Sequence, residues 1–306
     1  MFTLTFLGTA ATMPSHERGL PALLVEAGGE RWLVDCGEGT QRQILRAGIG
    51  FRRLHHVLLT HAHLDHVLGL AGLIATLGLV DLDDELAICG SRQTVELTAR
   101  YLASLWPAGR APVPLRLRAL EIGPVAATPA YRIGCFAVRH RGTESLGYRF
   151  DALPRRHLLP ARLDALGVPA GPLRARLAAG ETVQLPDGRE IAPDMVRGPA
   201  APGISLAVVG DAEETESLVP AVAGVDALVI EATFLEADAA LAAARGHLTA
   251  AAAGRLAADA GVGALLLTHI SGRYDAEAVA AEARRHFPNA RVMNDFDRLA
   301  VTAAAP

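Results

Sequence analysis

The most informative part of this sequence is Thr60-His61-Ala62-His63-Leu64-Asp65-His66. Three imidazoles and one carboxylate lie within six residues there, and these groups bind Zn²⁺ and similar cations in proteins. The apolar run before it, residues 57–59, predicts a buried strand, and the run after it, residues 67–70, predicts a helix start. A polar loop rich in histidine by chance is the alternative, but the H-x-H-x-D-H spacing is far more specific than any single histidine.

Other strand-like segments also lead into side chains that can bind a metal ion. In chain order, these candidates are His140, Asp211, Glu231 and His269, which follow apolar segments at residues 132–139, 204–209, 227–230 and 265–267. His247 precedes an alanine-rich helical segment, so it is either a site residue or the polar start of that helix. Strands that alternate with helices favour an α/β layered sandwich.

The candidates at strand ends outnumber the ligands of one tetrahedral ion. There are seven of them: His61, His63, Asp65, His66, His140, Asp211 and His269. They suit two cations if one carboxylate bridges, and such sites are typical of hydrolytic and phosphoryl-transfer enzymes. Hydroxide shared by two cations is nucleophilic at neutral pH and can attack a phosphodiester. We expect His247, oriented by Glu231, to protonate the leaving oxygen, and Asp65 to accept a proton from water.

A glycine-rich segment, Asp35-Cys36-Gly37-Glu38-Gly39-Thr40-Gln41, follows a predicted strand at residues 31–34. It precedes a predicted helix at residues 43–47. An acidic group here can orient a metal-binding loop through hydrogen bonds to the ligands. A capped turn with Asp35 as the helix N-cap is the alternative. The sequence leaves both interpretations open.

The bulk composition is typical of a compact α/β enzyme. The chain has 306 residues, is 51% hydrophobic and carries a formal net charge of −4, so nucleic-acid binding would need a local basic patch. Cys36, Cys89 and Cys135 form no C-x-x-C motif, which favours a reducing compartment. The N-terminus lacks the basic region of a signal peptide, and the longest apolar run, residues 68–80, is shorter than a membrane span. We therefore expect a cytoplasmic protein with no membrane partner.

Residues 151–200 differ from the rest of the chain because proline and glycine recur throughout them. They contain the one local basic patch, which consists of Arg155, Arg156, Arg162, Arg174 and Arg176. Asp164 is the only acidic residue between positions 155 and 176. Arginine suits bidentate contacts to phosphate, so the patch predicts an RNA-binding insertion. A solvated insertion without a ligand is the alternative.

Together these segments resemble the ribonuclease Z family, whose members process tRNA 3′ ends. This family is part of the metallo-β-lactamase superfamily. The metal motif is shared across the superfamily, whereas further stretches are similar to the narrower family. They are Phe6-Leu7-Gly8-Thr9 with Pro14, Ser15 and Arg18; residues 35–41; His140 with Ser145-Leu146-Gly147-Tyr148; Glu231-Ala232-Thr233-Phe234; Gly246-His247 with Thr249-Ala250; and Leu267-Thr268-His269-Ile270-Ser271 with Arg273-Tyr274. They span nearly the whole chain.

The resemblance implies a single domain over residues 1–306, an αββα four-layer sandwich with a flexible arm inserted at residues 151–200. It also implies two Zn²⁺ per subunit, with Mn²⁺ or another divalent ion as an alternative. By analogy, one ion is held by His61, His63 and His140, the other by Asp65, His66 and His269, and Asp211 bridges them. Asp65 is the implied general base, and His247 with Glu231 is implied to assist the leaving group.

We therefore expect a zinc-dependent endoribonuclease that removes the 3′ trailer from precursor tRNA and leaves a 3′-hydroxyl. The resemblance implies a homodimer whose arm clamps the tRNA. The expected substrate contacts are Arg18, Arg155, Arg156, Arg174, Arg176 and Arg273. Two alternatives stay open: a hydrolase of the same fold that acts on small phosphodiesters or other esters, and a tRNA-binding protein with little catalysis.

This chain also departs from the usual family pattern at several positions. In the arm, residues 166–172 are similar to the family's Gly-Pro motif, but the usual Gly and Lys that follow are Ala175 and Ala178. Elsewhere the departures are Gly19, Ala212, Ile230 and Leu248, in place of the usual Asn, Thr, His and Ser. None of them removes a predicted metal ligand, so they bear on tRNA handling more than on hydrolysis.

Overall fold

The computed structural model describes residues 2–80 and 85–303, apart from the side chains of Ala108 and Arg155. The chain forms two compact units. The first unit is built from the residues before 153 and after 203, and the second from residues 153–203. All the predicted metal ligands belong to the first unit.

The first unit begins with three consecutive strands, after which helices and strands alternate up to β6. Its elements up to residue 152 are β1 (Phe2–Gly8), β2 (Ala22–Ala27), β3 (Glu30–Val34), α1 (Thr40–Arg46), β4 (Leu54–Leu58), α2 (Leu64–Val67), α3 (Leu70–Leu79), β5 (Leu86–Gly90), α4 (Arg92–Leu105), β6 (Leu115–Ala119), β7 (Gly123–Ala127), β8 (Tyr131–Val138) and β9 (Ser145–Ala152). The helix start predicted at residues 67–70 is confirmed, because α3 begins at Leu70, but the sequence did not predict the short helix α2, which begins at Leu64. Asp65 lies in its first turn, where the helix dipole favours a carboxylate.

The second unit has a small core of its own. Its elements are β10 (Arg155–Leu158), α5 (Pro160–Ala165), α6 (Pro172–Ala179), β11 (Val183–Gln184), β12 (Glu190–Ile191), α7 (Pro193–Val196) and β13 (Arg197–Ala201). Its buried apolar side chains are Leu163, Val168, Leu177, Val183, Leu185, Ile191 and Val196. Burying one such side chain contributes roughly 1.5–3 kcal/mol. The predicted arm therefore coincides with a folded unit, while its action as a flexible arm stays a prediction.

The first unit resumes after residue 203 with a second series of strands and helices. These are β14 (Ser205–Val208), α8 (Val219–Val222), β15 (Ala227–Glu231), α9 (Ala239–Arg245), α10 (Ala250–Asp259), β16 (Leu265–Thr268), α11 (Ala276–Arg284), β17 (Ala290–Val292) and β18 (Arg298–Ala300). The alanine-rich segment after His247 forms α10, as predicted. Thr249 caps this helix by accepting a hydrogen bond from the Ala252 amide.

Two seven-stranded sheets organise the first unit. The order in the first sheet is β18-β1-β2-β3-β4-β5-β6, and the order in the second is β17-β16-β15-β14-β9-β8-β7. Phe2 and Phe6 of the first sheet pack with Tyr148 and Phe150 of the second in one apolar cluster. Helices α3 and α4 cover the outer face of the first sheet, and α10 and α11 cover that of the second. The predicted αββα sandwich is therefore confirmed.

Strand direction brings the predicted ligands to one edge of the sandwich. In the second sheet, β14, β15 and β16 are parallel, and β8 runs in the same direction because β8 and β14 are each antiparallel to β9. Glu231 is the last residue of β15, and Asp211, His269 and His140 follow β14, β16 and β8 within three residues. Carboxyl ends of parallel strands form the usual ligand-binding edge of an α/β sheet.

Two expectations from composition can also be compared with the structure. Cys36, Cys89 and Cys135 are free and buried, so they form no disulfide. Within residues 2–80 and 85–303, none of the helices combines the length and the hydropathy that crossing a bilayer requires.

Candidate metal centre

Four predicted ligands form a first donor set. His61, His63, His140 and Asp211 each offer a ligand atom, and these atoms all lie within 4.8 Å of one another. Asp211 Oδ2 lies 3.6 Å from His61 Nε2 and 3.7 Å from His140 Nε2. His63 Nδ1 lies 3.2 Å from His140 Nε2. Donors that bind one tetrahedral zinc ion at about 2.0–2.2 Å lie roughly 3.3–3.6 Å apart, so this set has the size of one site.

Asp65, His66 and His269 form a second donor set. Asp65 Oδ2 lies 3.6 Å from His269 Nε2 and 3.8 Å from His66 Nε2. Asp211 Oδ1 lies 3.3 Å from His269 Nε2 and 3.5 Å from His66 Nε2. The two oxygens of Asp211 thus face different donor sets, which is the arrangement that a bridging carboxylate requires.

The donor atoms between the two sets lack hydrogen-bond partners. Nε2 of His61, His66 and His269 and Oδ1 of Asp211 are buried and make no hydrogen bond to any described residue. An unpaired buried polar atom costs about 1–3 kcal/mol, so four of them in one place indicate a site built for an additional group. Imidazole nitrogen and carboxylate oxygen suit a divalent cation. The residues present therefore fit a metal ion.

Asp35 orients two of the ligands. Its Oδ2 accepts a hydrogen bond from His66 Nδ1 at 2.8 Å, and its Oδ1 accepts one from the Thr60 amide at 2.8 Å. The Thr60 hydroxyl donates to Asp35 Oδ2 and also lies 3.0 Å from His61 Nδ1. Helix α1 begins at Thr40 with Gly39 as its N-cap. The N-cap interpretation of Asp35 is wrong, and its hydrogen bonds to His66 and Thr60 are the contacts that the orienting interpretation requires.

Two further ligands are oriented from the second sheet. His140 Nδ1 donates to the carbonyl oxygen of Gly246 at 2.7 Å, and His269 Nδ1 lies 2.8 Å from Thr233 Oγ1. Such contacts fix the ring and direct Nε2 toward a cation. His269 has a φ of 56°, in the left-handed region. This costs a non-glycine residue about 1–3 kcal/mol and is found mainly at functional sites.

Burial and neighbouring charges set the protonation of the ligands. Burial holds the pKa of His61 well below its usual value, so this ring is neutral and able to bind a cation. Burial alone would raise the pKa of Asp211, but the charges of His269 and His66 bring it well below its usual value. Burial lowers the pKa of His66, yet the carboxylates of Asp35 and Asp211 raise it well above its usual value. Binding of a cation by His66 therefore displaces a proton.

His247 lies beside the ligands and contacts a buried carboxylate. Its Nδ1 lies 3.0 Å from Glu231 Oε1 and 3.9 Å from Asp211 Oδ2. Glu231 also accepts hydrogen bonds from the Ala212 amide, at 2.7 Å, and from the Thr233 hydroxyl. Burial lowers the pKa of His247, but Glu231 raises it to about 9. A proton held at a fixed position is what a general acid requires.

Two predicted substrate contacts lie in the first unit and differ in their surroundings. Arg18 donates from Nη1 to Thr9 Oγ1 at 2.6 Å and to the carbonyl oxygen of Met293 at 2.7 Å. It also donates from Nη2 to Asn294 Oδ1 at 2.8 Å, so it braces the loop after β1. Arg273 is exposed, and its guanidinium has no partner among the described residues. The substrate-binding roles of both stay predictions.

The arginines of the second unit have protein partners. Three arginines of the basic patch form ion pairs at 2.5–2.8 Å: Arg156 with Asp194, Arg174 with Asp164, and Arg176 with Glu181. Asp164 is the only acidic residue within the patch in sequence, and the fold adds Asp194 and Glu181 from beyond position 176. The side chain of Arg155 lies outside the described part of the structure.

Sequence reasoning named the predicted ligands but missed most of the groups that hydrogen-bond to them. Thr60 directly precedes His61, and Thr233 follows Glu231 by two positions, so a polar residue next to a predicted ligand was an available signal. Gly246 acts through its carbonyl oxygen. Every residue type has this group, so no sequence signal could have identified it.

Known proteins share this chain's sequence over its whole length. A ribonuclease Z from Bradyrhizobium diazoefficiens is 57% identical over 301 residues, which cover 98% of this chain and 100% of that protein. The chain belongs to the ribonuclease Z family. A ribonuclease Z from Archaeoglobus fulgidus is 39% identical over 306 residues, which cover 99% of this chain and 98% of that one. The predicted family, and with it the class of metal-dependent hydrolase, is therefore confirmed.

Solved structures agree with the ribonuclease Z fold. The short form of human tRNase Z matches with a TM-score of 0.67 and 23% identity, over 98% of this chain and 99% of that chain. The metallo-β-lactamase fold protein YhfI from Bacillus subtilis matches with a TM-score of 0.69 and 18% identity, over 97% and 98%. The sequence profile of the family "Anti-Pycsar protein Apyc1" matches residues 2–95.

Proposed function

We propose that this protein is a zinc-dependent endoribonuclease that removes the 3′ trailer from precursor tRNA and leaves a 3′-hydroxyl on the tRNA. The observation that carries the proposal is the position of Asp211 between two complete donor sets in a chain of the ribonuclease Z family. Such an arrangement suits hydrolysis of a phosphodiester, because two cations can stabilise both the attacking and the leaving oxygen.

Two Zn²⁺ ions per subunit fit the donor atoms, and Mn²⁺ or another divalent ion could replace them. One ion would be held by His61, His63 and His140 and the other by Asp65, His66 and His269, and Asp211 would offer one oxygen to each. When bound, the cations lower the pKa of water and neutralise the charge that grows on the phosphate oxygens. The neutral ring of His61 and the ionised carboxylate of Asp211 are the protonation states that this binding requires, whereas His66 must release a proton.

The protein's own residues supply the proton transfers. Asp65 accepts a proton from the water that attacks phosphorus. His247 donates a proton to the 3′ oxygen of the tRNA as the bond between that oxygen and phosphorus breaks. Glu231 is fully buried and holds His247 through Nδ1, which leaves Nε2 free to face the leaving oxygen. The products are a tRNA with a 3′-hydroxyl and a trailer with a 5′-phosphate.

The experiment that tests this function is cleavage of a precursor tRNA with a 3′ trailer, followed by mapping of both new ends. We expect one cut, a 3′-hydroxyl on the tRNA, and loss of activity after treatment with a chelator. Turnover of bis(p-nitrophenyl) phosphate without cleavage of the tRNA would instead support a small-ester hydrolase. Tight tRNA binding without any cleavage, with Zn²⁺ and Mn²⁺ supplied, would support a binding protein.

The second unit and the quaternary structure complete the proposal. We assign the second unit to tRNA binding, so deletion of residues 155–197 should weaken tRNA affinity while sparing small-ester hydrolysis. A homodimer is supported by large apolar side chains that are exposed on and after α2, α3 and α4: Leu64, Leu68, Leu79, Val80 and Leu105. Sedimentation equilibrium tests the dimer. A cytoplasmic location is supported by the three free, buried cysteines.

A further inference from the structure

Arg141 directly follows the predicted ligand His140 and lies on a loop with a fixed backbone. Its φ is 47°, in the left-handed region where glycine is favoured. Its amide donates to Glu213 Oε2 at 2.7 Å, and the Glu213 amide donates to the carbonyl oxygen of Arg139 at 2.8 Å. The Thr143 hydroxyl donates to the carbonyl oxygen of His140 at 2.7 Å. The loop therefore carries an arginine at a position where its backbone alone would favour glycine.

The stem of Arg141 lies across Gly246. A Cβ atom added to Gly246 would lie 2.4 Å from Arg141 Cγ and 3.2 Å from Cδ. Gly246 links two parts of the site, because its carbonyl oxygen accepts the hydrogen bond of His140 Nδ1 and its neighbour in sequence is His247. The side chain of Arg141 is thus held at the rim of the metal centre. It packs on Gly246, which directly precedes His247, the proposed general acid.

The guanidinium of Arg141 is exposed and has no hydrogen-bond or ion-pair partner in residues 2–80 and 85–303. The carboxylate of Glu213 accepts a hydrogen bond from the backbone amide of Arg141 and not from its guanidinium. Arg18 and Arg149 differ, because protein oxygens accept hydrogen bonds from their guanidinium groups. A cation that the fold positions and leaves unpaired suits an anionic ligand.

We infer that Arg141 is a substrate-binding residue whose guanidinium takes a backbone phosphate of the RNA close to the bond that is cut. Arginine presents a planar group that matches phosphate oxygens in bidentate fashion. The inference rests on the proposed function, since it identifies the ligand as an RNA phosphodiester. It also explains why an arginine occupies a backbone position that glycine would fill with less strain.

The test compares Arg141→Gln with the matched control Arg132→Gln. Arg132 is exposed on β8, the strand that leads to His140, but at its opposite end. For precursor tRNA, Arg141→Gln should lower kcat/KM roughly 10-fold or more, because a hydrogen bond to a charged group is lost. The slope of log affinity against log salt should become shallower by about 0.7–0.9, as expected for one phosphate contact. The control should leave both unchanged.

Three further measurements separate binding from structural damage. Hydrolysis of bis(p-nitrophenyl) phosphate, which has no neighbouring phosphate, should fall much less in Arg141→Gln than cleavage of precursor tRNA does, and the metal content should equal that of the Arg132→Gln control. Arg141→Gly should unfold at the same or a higher temperature, yet it should lose tRNA affinity as Arg141→Gln does. Arg141→Lys should recover part of the affinity, because it keeps the charge but not the bidentate geometry.

The inference is overturned if Arg141→Gln keeps the wild-type tRNA affinity and salt slope, or if it slows both substrates equally. Affinities are measured in a His247→Ala background, which slows cleavage of the RNA during the titration. If the wild-type protein fails to cut precursor tRNA, the proposed function fails by itself. The binding titration with the same RNA still decides the role of Arg141.

Discussion

The metal centre and the second unit differ in whether their charged side chains have hydrogen-bond partners within the protein. In the metal centre, three imidazole nitrogens and one carboxylate oxygen are buried without a hydrogen-bond partner among the described residues. In the second unit, every arginine of the basic patch whose side chain is described donates to a protein oxygen. A cluster of charged residues in a sequence is therefore stronger evidence for a ligand where the fold leaves its atoms unpaired than where protein oxygens already pair with them.

The two regions also differ in what their contacts cost. Each unpaired buried atom in the metal centre costs about 1–3 kcal/mol, which a bound cation would offset. An exposed ion pair of the second unit contributes about 0–1 kcal/mol. Such pairs are weak enough to exchange their carboxylate for a phosphate, so the basic patch can contact RNA without rearrangement of the unit's apolar core.

Among the variants that test this difference between the two regions, we expect the largest effect for Asp211→Ala. Because one oxygen of Asp211 faces each donor set, we expect both metal ions and all measurable cleavage to be lost. The matched control is Asp187→Ala in the second unit, where an exposed carboxylate pairs with Arg189 at 2.7 Å. Metal content by atomic emission should fall to zero in the first variant and stay unchanged in the second. Two ions retained by Asp211→Ala would contradict the bridging role.

A smaller effect is expected for His247→Ala. This variant should keep its metal ions and lose roughly 10²–10⁴-fold in cleavage rate, which is the usual contribution of a general acid. The control is His157→Ala, an exposed histidine of the second unit. An unchanged rate with precursor tRNA would remove His247 from the mechanism. A loss of metal would instead make it a ligand.

A still smaller effect is expected for Asp35→Asn, which tests the contacts behind the metal centre. The amide keeps the shape of the side chain but loses the charge that His66 and Thr60 contact. We expect metal affinity to fall about 10–100-fold, the usual effect of changing a group that orients a ligand. A chelator titration measures this directly. If the affinity equals that of the wild type, Asp35 shapes the turn and does not tune the ligands.

The sequence analysis succeeded where a feature depends on neighbouring residues and failed where it depends on residues far apart in the chain. Apolar strands are visible as runs, so the ligands at their ends, such as Asp211 and His269, could be predicted before the fold was known. The early start of α2 was missed because the helix begins inside the metal motif. The partners of the basic patch were missed because Arg156 and Asp194 are 38 positions apart. Only the fold brings such residues together.

The smallest effect separates two arginines of the second unit from each other. Arg174 donates through Nε and Nη2 to the carbonyl oxygen of Val168, at 3.0 and 2.7 Å. The guanidinium of Arg176 has Glu181 as its one hydrogen-bond and ion-pair partner among the described residues, and the side chains of Arg176 and Glu181 are about half exposed, at 53% and 55%. Arg174→Gln should therefore lower the free energy of unfolding by about 1–3 kcal/mol. Arg176→Gln should lower it by less than about 1 kcal/mol.

Chemical denaturation of the full chain, followed by a probe placed in the second unit, measures this difference. Arg176→Gln also tests whether the second unit binds tRNA. Because Arg176 can exchange Glu181 for a phosphate at little cost, Arg176→Gln should weaken tRNA binding a few-fold and make the salt slope shallower, by about 0.7–0.9. Glu181→Gln, which frees the same guanidinium, should strengthen binding. If Arg176→Gln and Glu181→Gln both bind tRNA as the wild type does, Arg176 does not contact tRNA. The charged groups of the second unit would then pair only with protein, in contrast to those of the metal centre.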